Sequence, residues 1–137
     1  MHDFVFVYGT LRKGDCRGNL GGSVHFTEAY IEGFNIFDLG SFPGIRPGNG
    51  RVRGEVHQID DEILQRLDWI EGYNPENPSQ GLYDRHRVQA QDPNGETVEA
   101  WAYIYNNRRG EDLEPIPSGD WFEHKNLYQE EECQNTV

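Results

Sequence analysis

The segment from Thr97 to Tyr105 (TVEAWAYIY) constrains the fold of this 137-residue chain more than any other. Its residues alternate as in a β-strand. One face of the predicted strand carries small and branched side chains: Val98, Ala100, Ala102 and Ile104. The opposite face is aromatic: Trp101, Tyr103 and Tyr105. Because both faces must be covered, we expect a closed or strongly curled sheet rather than an open one.

Other segments supply the remaining strands of such a sheet. Phe4 to Tyr8 is a short apolar run, and Thr27 to Leu39 predicts one long strand or two, with Gly33 as a kink or bulge. Arg51 to Ile59 alternates, with Val52, Gly54 and Val56 on one face and Arg51, Arg53, Glu55 and His57 on the other. Arg87 to Gln91 precedes a DPNGE turn and pairs with Thr97 to Tyr105 as a hairpin. The Pro- and Gly-rich stretch from Leu39 to Gly50 is expected to be a connection.

One segment predicts a helix. Asp60 is suited to the N-cap, Asp61 and Glu62 follow in the first turn, and Gly72 is placed for the C-terminal cap. The predicted fold class is therefore α+β: a single small domain with a mixed, barrel-like sheet and one main helix against it. We expect the domain to span residues 1–127.

Charge and composition narrow the classes of partner. The chain has 12 basic and 24 acidic residues, a formal net charge of −12, which disfavours binding to nucleic acid or to anionic membranes. Residues 128–137 contain three consecutive glutamates and no basic residue, and we expect this acidic tail to be disordered. The two cysteines, Cys16 and Cys133, do not suggest a disulfide framework, and no apolar run reaches membrane-spanning length. The sequence thus predicts a soluble, cytoplasmic protein.

Glu71 occupies an unusual position in the predicted helix. The apolar stripe of that helix is formed by Ile63, Leu64, Leu67 and Ile70. Glu71 falls inside the stripe, four residues after Leu67, and three explanations remain open. Its side chain bends into solvent at a frayed end, it pairs with an arginine such as Arg85, or apolar surroundings raise its pKa towards that of a general base. Asp68, one turn earlier, is expected on the flank of the helix, bonded to a nearby loop.

The turn YGTLRKG, at residues 8–14, follows the first strand. Its two glycines match part of a nucleotide-binding loop, but Asp15 and Cys16 replace the required Lys and Ser or Thr, so we reject nucleotide binding. Successive backbone N–H groups at the end of a strand can instead hold a small anion such as a carboxylate. An ordinary surface turn is the alternative.

The sequence gives no metal-binding pattern. Its five histidines lack ligand spacing, and neither H-E-x-x-H nor C-x-x-C occurs, so we predict no metal. Cys16 lies near Lys13 and Arg17, which favour a thiolate, but no histidine partner is evident for acyl transfer. We interpret Cys16 as an incidental loop thiol.

Several stretches, taken in order, resemble the γ-glutamylcyclotransferase family, in its small AIG2-like branch. They cover the chain from Phe4 to about Trp121 and read VYGTLRKG, FPGI, VRGEVHQID, LDWIEGY, LYDRHRV, AWAYIY and IPSGDW. The resemblance implies a small mixed β-barrel with helices packed on it, in agreement with the patterns above. It also implies an enzyme that converts γ-glutamyl amines or peptides to 5-oxoproline and a free amine, without a cofactor.

The resemblance also assigns site residues. The family's catalytic glutamate corresponds to Glu71, and its substrate-anchoring turn corresponds to Tyr8, Gly9, Thr10 and Leu11. Aromatic residues that either wall the substrate pocket or belong to the core are Tyr83, Tyr103 and Tyr105. The expected partner is a small γ-glutamyl substrate, and the oligomeric state is left open.

Two departures from the family pattern concern the substrate. NPENPSQG, at residues 74–81, lengthens the segment after Glu71, and GDCRGNLGG, at residues 14–22, is unusually rich in glycine. The negative charge of the chain suggests a cationic leaving group, such as a polyamine or a lysine side chain. The rival hypothesis is a binding module of the same fold that holds a carboxylate ligand or a protein partner without catalysis.

Overall fold

The computed structural model describes residues 2–9, 26–40, 42–77, 80–107 and 110–125. Five strands are present in this part of the chain: β1 (His2–Val7), β2 (Phe26–Asp38), β3 (Pro43–Asp60), β4 (Tyr83–Gln91) and β5 (Thr97–Tyr105). Two helices accompany them: α1 (Asp61–Ile70) and α2 (Trp121–Lys125). The predicted α+β class with one main helix is confirmed.

The strands form a closed barrel in the order β1-β3-β2-β4-β5. Neighbouring strands run antiparallel except at the closure, where β1 and β5 are parallel and Val5 lies opposite Trp101. Gly33 has φ +86° at the register shift between Glu32 and Phe34, which confirms the bulge predicted in β2. The DPNGE turn joins β4 to β5 as a hairpin, with Gly95 at φ +83°.

The two faces of β5 belong to different hydrophobic clusters, which explains why the strand is apolar or aromatic on both faces from Ala100 to Tyr105. Ala100, Ala102 and Ile104 pack inside the barrel with Phe6 and other buried side chains. Tyr103 and Tyr105 belong to an outer cluster that includes Ile63 and Leu67 of α1. The helix therefore covers the outer, aromatic face, and burial on both faces is confirmed.

The expectation of a connection from Leu39 to Gly50 is wrong for most of that stretch. Residues from Pro43 onward belong to β3 and pair with the second half of β2. The glycines in this part of β3 lie where the packing is close, not at turns. A Cβ on Gly44 would lie 2.7 Å from the Tyr105 Cβ, and a Cβ on Gly48 would overlap the Asn35 side chain. At both positions the sheet leaves room for glycine but not for a larger side chain.

Helix α1 begins and ends as its sequence predicts. The Asp60 carboxylate accepts a hydrogen bond from the Ile63 N–H at 2.9 Å. At the other end, the Gly72 N–H donates to the Trp69 carbonyl and the Tyr73 N–H donates to the Asp68 carbonyl. Gly72 has φ +69°, so these bonds form a Schellman motif that stops the helix directly after Glu71.

Candidate active site

A cavity of about 230 Å³ opens between the end of β1, the start of β3 and the C-terminal end of α1. The described residues that line it are Phe6, Val7, Tyr8, Gly9, Phe42, Pro43, Ile70, Glu71, Leu82, Tyr83 and Tyr103. Most of these side chains are apolar or aromatic. Glu71 is the one carboxylate among them.

Glu71 is the C-cap residue of α1, and its side chain is only partly exposed. Among the described residues, no cation pairs with its carboxylate. Burial disfavours the charged form and raises the pKa of Glu71 from 4.5 to about 7. The C-terminal end of a helix carries partial negative charge, so the helix offers the carboxylate no compensation. Of the three explanations left open by the sequence, apolar surroundings describe this site.

Arg85 does not pair with Glu71, because it is bound by Asp68. The Arg85 Nη1 group donates to both carboxylate oxygens of Asp68, at 2.7 and 2.9 Å. The Tyr103 hydroxyl donates to the same carboxylate at 2.7 Å. The expected bond from Asp68 to a loop is therefore wrong: its partners lie on β4 and β5. These contacts fix the last turn of α1 to the outside of the barrel.

Three tyrosines border the cavity, and each uses its proton within the protein. The Tyr8 hydroxyl donates to the Tyr103 carbonyl oxygen at 2.6 Å, and the Tyr83 hydroxyl donates to the Pro43 carbonyl oxygen at 2.6 Å. Burial is the main cause that raises the pKa of Tyr8, Tyr83 and Tyr103 above the ordinary value, and the nearby Glu71 adds to it. These phenols therefore remain neutral, and their oxygens can still accept hydrogen bonds from a ligand.

The predicted anchoring turn lies partly within the described residues. Gly9 lines the cavity, and a Cβ at this position would lie 2.5 Å from the Pro43 Cγ. Only glycine fits so close to Pro43, which gives a local reason for the Tyr-Gly sequence at the end of β1. Thr10 and Leu11 lie outside the described residues, as do Cys16, the glycine-rich stretch at residues 14–22 and the acidic tail at residues 128–137.

The structure brings the predicted aromatic residues together, but in two layers. Tyr83 and Tyr103 line the cavity. Tyr105 lies behind Tyr83, with ring centroids 6.0 Å apart, and its hydroxyl donates to the Glu111 carboxylate at 2.6 Å. Tyr105 therefore supports the wall of the cavity from behind.

Sequence reasoning did not name six of the lining residues as site residues: Phe6, Val7, Phe42, Pro43, Ile70 and Leu82. Phe42 and Pro43 belong to the FPGI stretch, whose strand had been taken for a connection. Ile70 was placed in the buried stripe of α1, but its side chain is 54% exposed. Position alone could have indicated Leu82, since it directly precedes Tyr83.

A buried polar pair lies beside this region. Glu55 and His57 are 5% and 1% exposed, and the His57 Nε2 lies 2.9 Å from the Glu55 Oε1. In the sheet, Glu55 is opposite Val7, which lines the cavity. The alternation of β3 correctly placed both side chains opposite Val52 and Val56, but it did not indicate that they would be buried.

A second, larger cavity of about 400 Å³ is lined by residues of β2 and β3 and by the β4–β5 turn. Its charged groups are already paired, with Arg51 bound to Glu32 at 2.8 Å and Arg53 near Glu28 at 3.4 Å. These side chains are about half exposed to solvent, where ion pairs are weak. The cavity at Glu71 is the better candidate.

Neither a metal-binding cluster nor a membrane-spanning helix is found among the residues that the structure describes. In this part of the chain, no group of three or more His, Cys, Asp or Glu side chains is placed to hold a metal ion. No helix within it has the length and apolarity needed to cross a membrane.

Comparison with known proteins identifies the family of this chain. The family model "Gamma-glutamyl cyclotransferase, AIG2-like" matches residues 5–123. The chain belongs to this family. The resemblance found in its motifs is therefore confirmed over most of its length.

Individual members of the γ-glutamylcyclotransferase family show the same relationship. The family protein YtfP of Escherichia coli K12 is 36% identical over 125 residues, which span 87% of this chain and 96% of YtfP. The γ-L-glutamyl-butirosin B γ-glutamyl cyclotransferase of Niallia circulans is 31% identical over 124 residues, covering 88% and 76% of the two chains. Among solved structures, an AIG2-like protein from Mus musculus has a TM-score of 0.61 at 26% identity, covering 76% of this chain and 77% of its own.

Proposed function

We propose that this member of the γ-glutamylcyclotransferase family converts a small γ-glutamyl amine or peptide to 5-oxoproline and a free amine, with Glu71 as general base and acid. The observation that carries the proposal is the position of Glu71 in the cavity, where burial brings its pKa to about 7. A carboxylate with this pKa is divided between its two protonation states near neutral pH. It can therefore both accept and return a proton.

In the proposed reaction, the α-amino group of the glutamyl moiety attacks its own γ-carbonyl carbon. Glu71 first removes a proton from the α-ammonium group, which frees the nitrogen lone pair. A C–N bond then forms and closes the five-membered lactam. In the tetrahedral intermediate, Glu71 gives the first proton to the leaving nitrogen, and its ionised carboxylate then takes the second proton from the ring nitrogen. Collapse of the intermediate re-forms the carbonyl group and breaks the bond to the leaving amine, which takes up the second proton from Glu71 and departs as an ammonium ion. Protons and electron pairs balance without an oxidant, a reductant or a cofactor.

The walls of the cavity suit the two charged groups on the α-carbon of the glutamyl moiety. The phenol oxygens of Tyr83 and Tyr103 can accept hydrogen bonds from the α-ammonium group beside Glu71. The backbone at Gly9, continued by Thr10 and Leu11, is proposed to bind the α-carboxylate through its N–H groups. Because nucleophile and carbonyl belong to one molecule, fixing their relative orientation supplies much of the rate enhancement. The low cysteine content leads us to propose the cytoplasm as the site of this reaction.

The test is release of 5-oxoproline from a panel of γ-glutamyl amines and dipeptides. Wild type is compared with Glu71→Gln, which keeps the shape of the side chain but cannot take up a proton. Glu62→Gln, on an exposed position of the same helix, is the matched control. We expect kcat to fall by about 10²- to 10⁴-fold in Glu71→Gln and to stay at the wild-type value in Glu62→Gln.

Equal activity in all three proteins would exclude Glu71 as the base. Absence of product from the folded wild-type protein across the panel would count against catalysis. In that case, binding of a γ-glutamyl amine to the wild type, measured by calorimetry, would support the alternative of a non-catalytic carboxylate-binding module.

A further inference from the structure

Large apolar side chains are exposed at the mouth of the cavity. In the part of the chain that the structure describes, five large hydrophobic residues are exposed: Phe4, Phe42, Trp69, Ile70 and Leu82. Three of them, Phe42, Ile70 and Leu82, also line the cavity. We call these three residues the apolar rim. Exposed apolar side chains that gather at one opening, instead of being scattered singly, mark a surface that becomes covered by a ligand.

The rim residues come from three separate parts of the chain. Phe42 precedes β3 and lies against Tyr83, with ring centroids 6.5 Å apart. Ile70 is the last residue of α1, where the Schellman motif stops the helix and leaves this side chain 54% exposed. Leu82 directly precedes β4 and is 44% exposed. The fold thus brings together apolar groups that no local pattern would have placed side by side.

We propose that the apolar rim selects γ-glutamyl substrates whose leaving amine carries an alkyl or aryl group. This inference rests on the proposed function, because it assumes that the glutamyl end lies against Glu71 and Gly9. With that end held inside, the substituent on the γ-amide nitrogen extends past Phe42, Ile70 and Leu82 towards solvent. An apolar substituent removes the rim from water, and each fully buried methylene is worth about a fourfold gain in affinity.

A cationic substituent gains little at the same place. It loses part of its hydration against the rim, and Glu71 is the one described lining residue that bears a carboxylate. That carboxylate is already engaged in the proton transfer. The net charge of −12 acts at longer range and is screened within about 8 Å at physiological salt, so it speeds the approach of cations more than it discriminates at the rim. Contacts with the apolar rim therefore determine the preferred leaving group more strongly than the net negative charge of the chain, which had suggested a cationic one.

The experiment uses a series of γ-glutamyl amides of ethylamine, butylamine and pentylamine. These amines have nearly the same basicity, so differences in kcat/KM report contacts of the alkyl chain. The amide of 4-aminobutylamine has the same number of non-hydrogen atoms as the pentylamide but ends in an ammonium group. We expect kcat/KM to rise about twofold to fourfold per methylene along the alkyl series. We expect the pentylamide to exceed the aminobutylamide by at least about tenfold.

Two variants assign the effect to the rim. Leu82→Ser changes a half-exposed rim residue, and we expect it to flatten the dependence on chain length. Phe4→Ser is the matched control, since Phe4 is 37% exposed on β1 and does not line the cavity. It should retain the wild-type dependence.

Equal kcat/KM for the alkyl amides and the aminobutylamide, or a preference for the ammonium compound, would overturn the inference while the proposed function stands. If no compound yields 5-oxoproline, binding of the pentylamide and the aminobutylamide to wild type is measured by calorimetry. Preferential binding of the pentylamide that Leu82→Ser abolishes would support the rim and count against catalysis. Absence of binding to the folded protein would overturn both.

Discussion

Asp68 and Glu71 lie three residues apart on α1 but have opposite electrostatic surroundings. Asp68 is bound by the Arg85 guanidinium and the Tyr103 hydroxyl, whereas Glu71 has no cationic partner among the described residues. The first carboxylate fixes the end of the helix to the barrel. The second is left in an environment that keeps it close to half-protonated at neutral pH. One helical turn thus separates an anchoring group from the proposed general base.

The raised pKa of Glu71 has a measurable effect on stability. Its folded-state pKa is raised from 4.5 to about 7, so the native protein binds this proton more tightly than the unfolded chain does. Stability is then lost as pH rises from about 4.5 through 7. We expect Glu71→Gln to raise the free energy of unfolding, relative to wild type, by about 3 kcal/mol at pH 8 and by less than about 1 kcal/mol at pH 5. Urea denaturation of both proteins at the two pH values measures this difference.

Glu62→Gln is the control for that measurement, because Glu62 is exposed on the same helix. It should show no pH-dependent gain. A gain of equal size at pH 5 and pH 8 in Glu71→Gln would mean that the carboxylate is not held near its neutral form.

The same pKa predicts the pH dependence of the proposed reaction. Glu71 must be ionised to accept the first proton, so kcat/KM should rise about tenfold per pH unit below about pH 7 and level off above it. Initial rates of 5-oxoproline release from one γ-glutamyl amide, measured between pH 5 and pH 8, give this profile. An acid limb centred near pH 4.5 would indicate that Glu71 is solvated as in an unfolded chain.

The anchor at Asp68 is expected to affect the site indirectly. Asp68→Asn keeps an acceptor for the Tyr103 hydroxyl but removes the counter-charge of Arg85. We expect unfolding free energy to fall by about 2 kcal/mol, because a largely buried guanidinium loses its ionic partner. The released cation would also stabilise ionised Glu71 and move the acid limb of the pH profile to lower pH.

Asp61→Asn, at an exposed position of the same helix, is the control for both measurements. A loss of stability in Asp68→Asn without any shift of the acid limb would show that Asp68 only holds the helix in place and does not influence Glu71.

Two glycine variants distinguish the effect of ending α1 at Gly72 from the general cost of placing alanine in a left-handed backbone conformation. Gly72 and Gly95 have φ +69° and +83°, and neither would bring a Cβ within 3.4 Å of another atom. Alanine at either position should cost about 1 kcal/mol, because the backbone there is left-handed. Only Gly72 is adjacent to Glu71, so only Gly72→Ala is expected to displace the Glu71 carboxylate. We expect kcat/KM to fall at least about tenfold in Gly72→Ala and to remain near the wild-type value in Gly95→Ala. Thermal unfolding and 5-oxoproline release measure the two effects, and equal activity of the two variants would contradict the prediction.

Local patterns predicted the parts of this fold that depend on neighbours in sequence. The two-faced strand at residues 97–105 indicated closure, and Asp60 and Gly72 marked both ends of α1 within a residue. Residues 43–50 were misjudged because glycine and proline mark turns and also mark close packing. Only the tertiary contact of Gly44 with Tyr105 distinguishes the two cases.

Sequence patterns likewise indicated those site residues whose role is visible within one element, and missed those that depend on tertiary contacts. Glu71 was identifiable because it breaks an apolar period, and that break is visible within one helix. The partners of Asp68 lie 17 and 35 residues away, on strands whose faces are set by barrel closure. The rim was hidden as well, since Ile70 continues the apolar period of α1 and yet has a side chain that is 54% exposed.

The parallel contact between β1 and β5 has a consequence for the order of assembly during synthesis. Tyr8 and Gly9 are made well before Tyr103, which lies on the last described strand of the barrel and completes the wall of the cavity beside Tyr8. Pairings of such long sequence separation form late, because the loop must close before the contact contributes energy. A nascent chain shorter than about Tyr105 therefore holds Glu71 on a helix without the wall that raises its pKa. We expect the proposed catalytic centre to form only after β5 has left the ribosome.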